Sequence, residues 1–454
     1  MTEIAVTGHS RRLIAGWGRT APVTSDVVVP EDYRNVADVV GQAEGSVIAR
    51  GLGRSYGDAA QVAGGTTIDL TRCDRILGFD ATTGVVDVEA GVSIDHLIRT
   101  FVPKGWFVPV TPGTRYVTVG GAIASDVHGK NHHAVGSFGQ HVVDLTVVTG
   151  AGTVLNCSPE SEPELFWATV AGMGLTGVIT RARVQLQPIE SSLIKATNER
   201  AANLDDVMSR MMEIDKSVPY TVAWVDSLAK GSRFGRGLIS HGDHAVAADT
   251  PGRADPLAMS ISDPVAFPIN LPSRSLNKLS VAAFNELWFR KTPKTAAAQL
   301  TSMASFFHPL DMVGDWNRIY GAPGFLQYQF VVPDSGSELI GRALRTIAAT
   351  GGVSFLTVLK RFGPGNQAPL SFPMTGWTLA LDIPARVAGL GRVLDRLDEQ
   401  VAQAGGRIYF TKDSRLRPDL VDTMYPQLRQ WQAVRDRYDP SRRMQSDLAT
   451  RLGI

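Results

Sequence analysis

The sequence predicts an α+β fold with two main parts: an N-terminal domain built around glycine-rich loops, and a C-terminal domain with a large antiparallel sheet flanked by helices. Two glycine-rich stretches mark the first domain, RGLGRSYGD (residues 50–58) and TPGTRYVTVGGAIASDVHGKNHH (residues 111–133). From residue 325 onward the strand and helix patterns follow the order β-α-β-β-α-β, which typically forms an antiparallel sheet with helices on one face. We place the domains at residues 6–190 and 191–406, with a C-terminal return to the first domain at 407–454.

Length and composition are those of an ordinary globular protein. With 454 residues, of which 44% are hydrophobic and 20% charged, the chain is long for one domain. A formal net charge of +1 and the lack of a basic run argue against nucleic acid as a partner. Cys73 and Cys157 are too few for a disulfide framework. The N-terminus lacks the apolar core of a signal peptide, and no stretch approaches the roughly 18 apolar residues of a membrane span.

The first domain is predicted to alternate strands with short helices. SVIAR, just before the first glycine stretch, and VVDVEAG (residues 85–91) have the pattern of strands. Ser93 is expected to cap a helix whose apolar residues recur at helical spacing. DLTVVTGAGTVLNC (residues 144–157) predicts a hairpin, and ELFWATV (residues 164–170) predicts a helix before a third glycine cluster, AGMGLTGVIT.

The start of the second domain is less regular. We predict a helix over residues 204–214 and a strand over residues 221–229. Residues 241 to about 295 are rich in proline and are predicted to be irregular. They mix apolar residues with basic ones such as Lys278 and Lys291. Two interpretations stay open, a cover over the protein's own domain and a surface that touches lipid.

The antiparallel sheet offers polar side chains to a ligand. In the strand FLQYQFVV, the two-residue period places Gln327 and Gln329 on one face. Lys360 and Lys412 lie at or near strand ends, where side chains project toward a cleft. Solvent exposure is the simpler interpretation for each of the four.

The glycine stretches indicate binding of a phosphate group. A residue without Cβ lets backbone N–H groups converge on phosphate oxygens. The spacing of Gly51, Gly53 and Gly57 does not match the dinucleotide fingerprint GxGxxG, and no amphipathic helix follows. We therefore predict a pyrophosphate-binding loop of another architecture.

The string HGKNHH raises the question of a metal site. His128, His132 and His133 could be ligands, but they lack acidic partners and the spacing of a closed zinc site. We therefore predict no metal.

Eight strings, in one order, resemble the flavin-dependent oxidoreductases of the vanillyl-alcohol-oxidase type. The resemblance covers nearly the whole chain and is weakest at about residues 190–300. It implies a two-part FAD-binding domain of the PCMH or vanillyl-alcohol-oxidase type, plus a substrate domain. The strings are RGLGRSYGD, PGTRYVTVGGAIASDVHGKNHH, GSFG, LFWATVAGMGLTG, FHPLDMVGDWNRIYG, GFLQYQF, GPGNQAPLSFP and TKDSR.

The resemblance implies FAD as the cofactor. The flavin should be bound noncovalently, because members with a covalently attached flavin commonly carry His where this chain has Arg54. The first loop would hold the pyrophosphate, and the other two clusters would line the adenosine and isoalloxazine channel. The implied cofactor-binding residues are Arg50, Gly51, Leu52, Gly53, Arg54, Ser55, Tyr56, Thr114, Thr118, Gly120, Gly121, Ala124, Ser125, His128, Gly129, Asn131, Gly177, Ile179 and Lys412.

Within that family, the strings are most similar to those of enzymes that oxidise the ribose 2′-hydroxyl of decaprenylphosphoryl-β-D-ribose. The 2′-keto product is the first intermediate in epimerisation to the arabinose compound used for cell-wall arabinan. A lysine ammonium would stabilise the charge that develops on the flavin, and the hydroxyl proton would pass to Tyr56, His128 or a bound water. The implied catalytic residues are Lys412, Tyr56 and His128, and the implied substrate-binding residues are Gln329, Lys360, Tyr320, Trp224 and Asn366.

The resemblance also implies partners and a location. These are a lipid-linked sugar substrate, an NADH-dependent keto-reductase that completes the epimerisation, and a cell-envelope or periplasmic site with peripheral membrane contact. Ala380 stands where relatives often carry Cys, although hydride transfer needs no thiol. The alternatives are an alditol or aldonolactone oxidase that uses oxygen on a free sugar, and a noncatalytic nucleotide-binding protein.

Overall fold

The structure, a computed structural model, describes residues 6–272, 275–293 and 297–454. Its N-terminal part holds a four-stranded sheet in the order β1-β2-β4-β3 and a five-stranded sheet in the order β5-β6-β10-β8-β9. The strands are β1 (Val6–Ile14), β2 (Val23–Pro30), β3 (Val47–Arg50), β4 (Thr66–Asp69), β5 (Ile76–Asp80), β6 (Val85–Glu89), β7 (Trp106–Phe107), β8 (Val142–Val148), β9 (Val154–Cys157), β10 (Val178–Gln185) and β11 (Gln187–Pro188). The helices are α1 (Val36–Gln42), α2 (Ile94–Phe101), α3 (Val119–Ala124), α4 (His132–Val135) and α5 (Pro163–Thr169).

The local signals in this part are confirmed. The hydroxyl of Ser93 accepts a hydrogen bond from the backbone N–H of His96 at 3.0 Å and so caps α2. The apolar stripe of α2 is buried, Phe101 included. Strands β8 and β9 form the predicted antiparallel hairpin, and α5 covers the predicted helical segment.

The C-terminal part is built on one eight-stranded sheet in the order β16-β12-β14-β13-β19-β20-β18-β21. Its elements include β12 (Leu193–Ala201), α6 (Leu204–Ile214), β13 (Tyr220–Val225), β14 (Gly237–His244), β15 (Val265–Ala266), α7 (Lys278–Lys291), β16 (Gln299–Ser302), α8 (Met303–Phe307) and β17 (Val313–Gly314). They continue with β18 (Phe325–Val332), α9 (Glu338–Ala349), β19 (Thr357–Phe362), β20 (Gly376–Pro384), α10 (Leu390–Gln403) and β21 (Arg407–Ile408). Helices α11 (Val421–Met424), α12 (Leu428–Tyr438) and α13 (Asp447–Leu452) end the chain.

The predicted β-α-β-β-α-β order is confirmed by β18, α9, β19, β20, α10 and β21, whose strands pair antiparallel. Alternate residues of the sheet face a large cavity, as the two-residue period requires. The helices α9 and α10 bury their apolar stripes in the core. The cavity-facing pairs are Ala196 and Asn198, Val222 and Trp224, Leu238 and Ser240, Gln327 and Gln329, and Val358 and Lys360.

Three predictions about the second domain need correction. The strand expected over residues 221–229 ends at Val225. The last strand is only two residues long, so Lys412 lies in a turn beyond it. Within the segment predicted to be irregular, α7 is a 14-residue helix capped by the side chain of Asn277. Its apolar residues are spread around the helix rather than in one stripe, so periodicity does not reveal it.

The C-terminal helices contact the N-terminal part. The indole N–H of Trp431 donates to the carbonyl of Ala168 at 2.9 Å. Arg451 forms ion pairs with Asp58 at 2.8 Å and with Asp413 at 2.9 Å. The chain end is therefore fastened next to the first glycine loop, while the predicted domain boundaries stay predictions. In the described part of the chain, no helix is long and apolar enough to cross a membrane.

Replacing Arg451 with Met should lower the free energy of unfolding by about 3 kcal/mol, because both buried carboxylates would lose their cation. Urea denaturation with FAD in excess measures this loss. The matched control is Arg429→Met, which removes an ion pair between Arg429 and Asp422 whose side chains are mostly exposed. That control should cost less than about 1 kcal/mol, and equal losses in the two variants would contradict the prediction.

Candidate functional site

A cavity of about 1180 Å³ lies between the glycine loops of the first part and the open face of the eight-stranded sheet. Most of the residues predicted from the sequence line it. From the loops these are Arg50, Gly51, Leu52, Gly53, Arg54, Ser55, Tyr56, Thr114, Thr118, Gly120, Gly121, Ala124, Ser125, His128, Gly129, Gly177 and Ile179. From the second part they are Trp224, Gln329, Lys360 and Lys412.

The first glycine loop is held by its own arginine. The guanidinium of Arg50 donates to the carbonyls of Ala15 at 2.7 Å and Ala60 at 2.9 Å. Gly53 has a φ of +65°, a left-handed conformation that favours glycine. The guanidinium of Arg54 lies 4.0 Å above the ring of Trp17. The contacts of Arg50 and Arg54 thus hold the loop in position, and the loop residues line part of the cavity.

The second glycine stretch packs against the first. Thr118 caps α3, its hydroxyl accepting from the N–H of Gly121 at 3.1 Å. A Cβ at Gly51 would overlap the side chain of Thr118, and a Cβ at Gly120 would lie 2.9 Å from the Cβ of Ala90. Side chains are therefore excluded where the two loops meet. This closely packed, glycine-built wall suits an extended dinucleotide, so the residues present fit FAD.

His128 lies where the loops meet the sheet. The amide nitrogen of Gln329 donates to its Nε2 at 3.1 Å, which assigns the proton to Nδ1. The ring packs against those of Phe362, Phe372 and Tyr409. Complete burial lowers the pKa of His128 well below its ordinary value, so the imidazole is neutral. Among the described residues, Nδ1 has no hydrogen-bond partner.

Three half-buried lysines, Lys130, Lys360 and Lys412, line the cavity. Burial lowers the pKa of Lys360 to about 8 and that of Lys130 to about 7. Burial also lowers the pKa of Lys412, although the charge of Asp382 opposes the shift. The ammonium of Lys412 lies 3.7 Å from the ring centroid of Tyr56, a cation–π contact that fixes its position.

Two residues of this network were missed by the sequence analysis. Asp382 is buried in β20, and its Oδ1 accepts a hydrogen bond from the amide of Gln327 at 2.5 Å. Burial raises its pKa. A carboxylate inside the apolar strand GWTLALDIP is the signal that could have identified it. Lys130, which bonds to the carbonyl of Phe306, follows His128 and Gly129 directly in sequence.

Three predicted residues lie outside the cavity lining. Tyr320 stacks on Phe325 with 4.2 Å between ring centroids, behind Tyr56. The amide of Asn366 donates to Asp126 at 2.8 Å and so belongs to a buried network. The amide of Asn131 donates to the carbonyl of Pro109 at 2.8 Å. Their roles toward a ligand stay predictions, and the structure gives each of them a packing role.

The rest of the lining is apolar or small. Ala380, paired with Gln329 and Val358 in the sheet, lines the cavity without a thiol. Other lining residues come from α7, β15, the segment before β18 and the segment before β19; they include Ala266, Phe284, Trp288, Leu310, Met312, Val313, Trp316, Phe355 and Leu356. No group of three or more His, Cys, Asp or Glu side chains in the described ranges could hold a metal ion.

Gly51→Ala should weaken FAD binding about tenfold, because the added methyl group displaces Thr118 and with it the α3 cap. The ratio of flavin to protein absorbance after dialysis measures the occupancy. Gly41→Ala in α1 is the control, since a Cβ there meets nothing within 4 Å. Full occupancy in Gly51→Ala would show that the contact between the loops does not shape the cofactor site.

Comparison with known proteins identifies the family. An FAD binding domain family matches residues 25–158. Decaprenylphosphoryl-β-D-ribose oxidase from Mycolicibacterium smegmatis is 43% identical over 461 aligned positions, which cover 100% of this chain and 99% of the relative. A Streptomyces coelicolor protein encoded in the mprA 5′ region is 40% identical, over 80% of this chain and 100% of its own length.

A more distant relative shares only part of the chain. Cytokinin dehydrogenase 2 from Arabidopsis thaliana is 32% identical over 37% of this chain and 35% of its own length. These comparisons confirm the predicted FAD cofactor, the α+β fold with its FAD-binding domain, and the oxidoreductase class. The chain belongs to the FAD-dependent oxidoreductase family that includes decaprenylphosphoryl-β-D-ribose oxidase.

Proposed function

We propose that the protein oxidises the ribose 2′-hydroxyl of decaprenylphosphoryl-β-D-ribose to the 2′-ketone. The observation that carries the proposal is one continuous cavity, which is lined by the glycine loops, by three half-buried lysines and by apolar residues of α7, β15 and residues 310–316. These surroundings match a dinucleotide cofactor, a phosphate-bearing sugar and a hydrocarbon chain. Bound FAD supplies hydride acceptance. The name of the full-length relative supports the same substrate.

The polar residues of the sheet would hold the sugar phosphate. Lys360 and Lys130 supply ammonium groups for the phosphate oxygens, and Gln329 supplies an amide for a hydroxyl. The indole N–H of Trp224 already donates to the carbonyl of Phe355 at 2.8 Å. We therefore assign the ring of Trp224, rather than its N–H, to contact the sugar.

The ammonium group of Lys412 would stabilise the negative charge that develops in the transition state. An ammonium fixed in a site without bulk water stabilises developing negative charge strongly. The ring of Tyr56 and the charge of Asp382 keep this group in place and favour its protonated form. Burial raises the pKa of Tyr56 well above its ordinary value, so it stays a neutral phenol. A bound water beside His128 is thus the better acceptor for the hydroxyl proton, because Nε2 of the neutral ring already accepts from Gln329 and Nδ1 carries the ring proton.

The proposal also covers how FAD is attached, which enzyme uses the product and where in the cell the protein works. We propose noncovalent FAD, because the loop position that carries the linking His in covalent relatives is Arg54, which lies over Trp17. The ketone would pass to an NADH-dependent reductase that completes the epimerisation for cell-wall arabinan. A substrate anchored by a decaprenyl chain places the enzyme at the cell envelope, in peripheral contact with the membrane.

Anaerobic titration tests the function directly. Decaprenylphosphoryl-β-D-ribose should bleach the flavin absorbance of the purified protein, whereas free ribose, alditols and aldonolactones should not. Bleaching by a free sugar, with rapid reoxidation in air, would favour the alditol or aldonolactone oxidase. A flavin that no substrate bleaches would favour the noncatalytic alternative.

Lys412→Ala should retain its FAD and lose about 10²–10³-fold in kcat, the usual effect of removing a group that stabilises transition-state charge. Stopped-flow bleaching with decaprenylphosphoryl-β-D-ribose measures the rate, and absorbance measures the FAD content. Lys195→Ala, which removes an exposed lysine paired with Asp249, serves as the control. Near-normal bleaching by Lys412→Ala would remove this residue from the mechanism.

Substrate binding should weaken as the pH rises through about 8, the pKa to which burial lowers Lys360. Below that pH the ammonium attracts the phosphate; above it the neutral amine does not. The measurement is KM for the phosphate-bearing substrate between pH 6 and pH 10, which is about two pH units on either side of the pKa of Lys360. Lys360→Arg, which stays charged, should remove the rise in KM near pH 8 and leave the rise near pH 7 that deprotonation of Lys130 causes, and an unchanged profile would exclude Lys360 as a phosphate ligand.

A further inference from the structure

Helix α7 presents an unusually exposed apolar surface. Of its 14 residues, only Val281 and Asn285 are buried. Leu279 is 84% exposed and Leu287 is 72% exposed. The helix is nevertheless fastened to the domain, because the amide of Asn285 donates to Asp226 at 2.7 Å. Exposed leucines on a fixed helix indicate a contact with something outside the chain.

The neighbouring strands extend this surface. Strands β15 and β17 pair in parallel, joining Val265 to Val313. Val265 is 80% exposed, and Ile269, Met312 and Val313 are also exposed. We call the exposed apolar residues of α7, β15 and residues 269 and 312–313 the rim surface.

The rim surface is continuous with the cavity. Phe284 and Trp288 of α7 line the cavity and are themselves exposed in part, so they belong to both. Ala266, Met312 and Val313 line the cavity as well. A ligand chain that leaves the cavity past these residues therefore meets the rim surface.

The charge on α7 is mainly positive. Lys278, Arg290 and Lys291 are exposed at its two ends. The carboxylate of Glu286, the acidic residue of the helix, is engaged by Arg290 and Arg236, each at 2.6 Å. Apolar side chains flanked by exposed basic groups are the features of helices that lie in the interface of anionic membranes.

We infer that the rim surface docks on an anionic lipid bilayer and sets the cavity mouth against the acyl layer. A hydrocarbon-anchored substrate could then enter from the bilayer without exposing its chain to water. The choice of a bilayer over a protein partner rests on the positive charge and on the continuity with the cavity. The identity of the entering substrate rests on the proposed function, whereas the docking itself does not.

Vesicle flotation tests the docking, with the purified FAD-loaded protein and vesicles of phosphatidylglycerol mixed with phosphatidylcholine. The wild type should float with these vesicles, and less so in high salt or with phosphatidylcholine alone. Leu279→Ser/Leu287→Ser should reduce binding about tenfold or more, because two apolar side chains are lost from the interface. Leu13→Ser, at a leucine that is 71% exposed on β1, is the matched control and should bind like the wild type.

The outcomes distinguish docking on a bilayer from misfolding of the variant, from dimer formation and from failure of the proposed function. FAD content and melting temperature check the fold of the double variant, and the single variant Leu279→Ser replaces it if either falls. Equal flotation of the wild type and the leucine variants would overturn the inference. So would a wild type that forms a dimer, becomes monomeric in these variants and fails to float, since the surface would then join two copies. Vesicle binding without flavin bleaching by detergent-dispersed substrate would refute the proposed function and leave the docking standing.

Discussion

The buried carboxylate of Asp126 is the constraint on which the site depends. It accepts hydrogen bonds from Ser137 and Gly139 of the first part and from Asn366 and Ser371 of the second. Burial raises its pKa, and these four donors oppose that rise. One side chain thereby joins the N-terminal part, next to the second glycine stretch, to the C-terminal part. Because it lies two positions before His128, it also sets how the loops face the sheet.

The cavity is organised around an excess of buried positive charge. Lys130, Lys360 and Lys412 all lose pKa through burial, and Lys360 lowers the pKa of both others further. Asp382 offsets the charge of Lys412 alone. Such groups remain charged most easily when an anion occupies the cavity. A bound phosphate group would thus favour the protonated form of the lysines beside it.

The sequence was most informative where chemistry restricts residue choice. The glycine strings, the Ser93 cap and the β-α-β-β-α-β order predicted the cavity wall correctly, because turns, caps and strand alternation are local properties. Periodicity failed for α7, because its apolar residues are spread around the helix and Val281 is the one among them that is buried. Asn366 and Tyr320 were assigned by resemblance, and their burial against Asp126 and Phe325 is a tertiary property that no local pattern contains.

The cavity lining combines polar and apolar surfaces because its glycine loops, strands and aromatic residues differ in what they can offer a ligand. At the glycine positions of the loops, the backbone can approach a cofactor closely, but glycine provides little apolar area. Strand residues such as Gln329 and Lys360 add polar groups at fixed spacing, yet each costs free energy when it is buried without a partner. A long hydrocarbon chain needs neither, and the apolar rings of Phe284 and Trp288 also line the cavity. The cavity lining thus combines close backbone approach, polar groups at fixed spacing and apolar area.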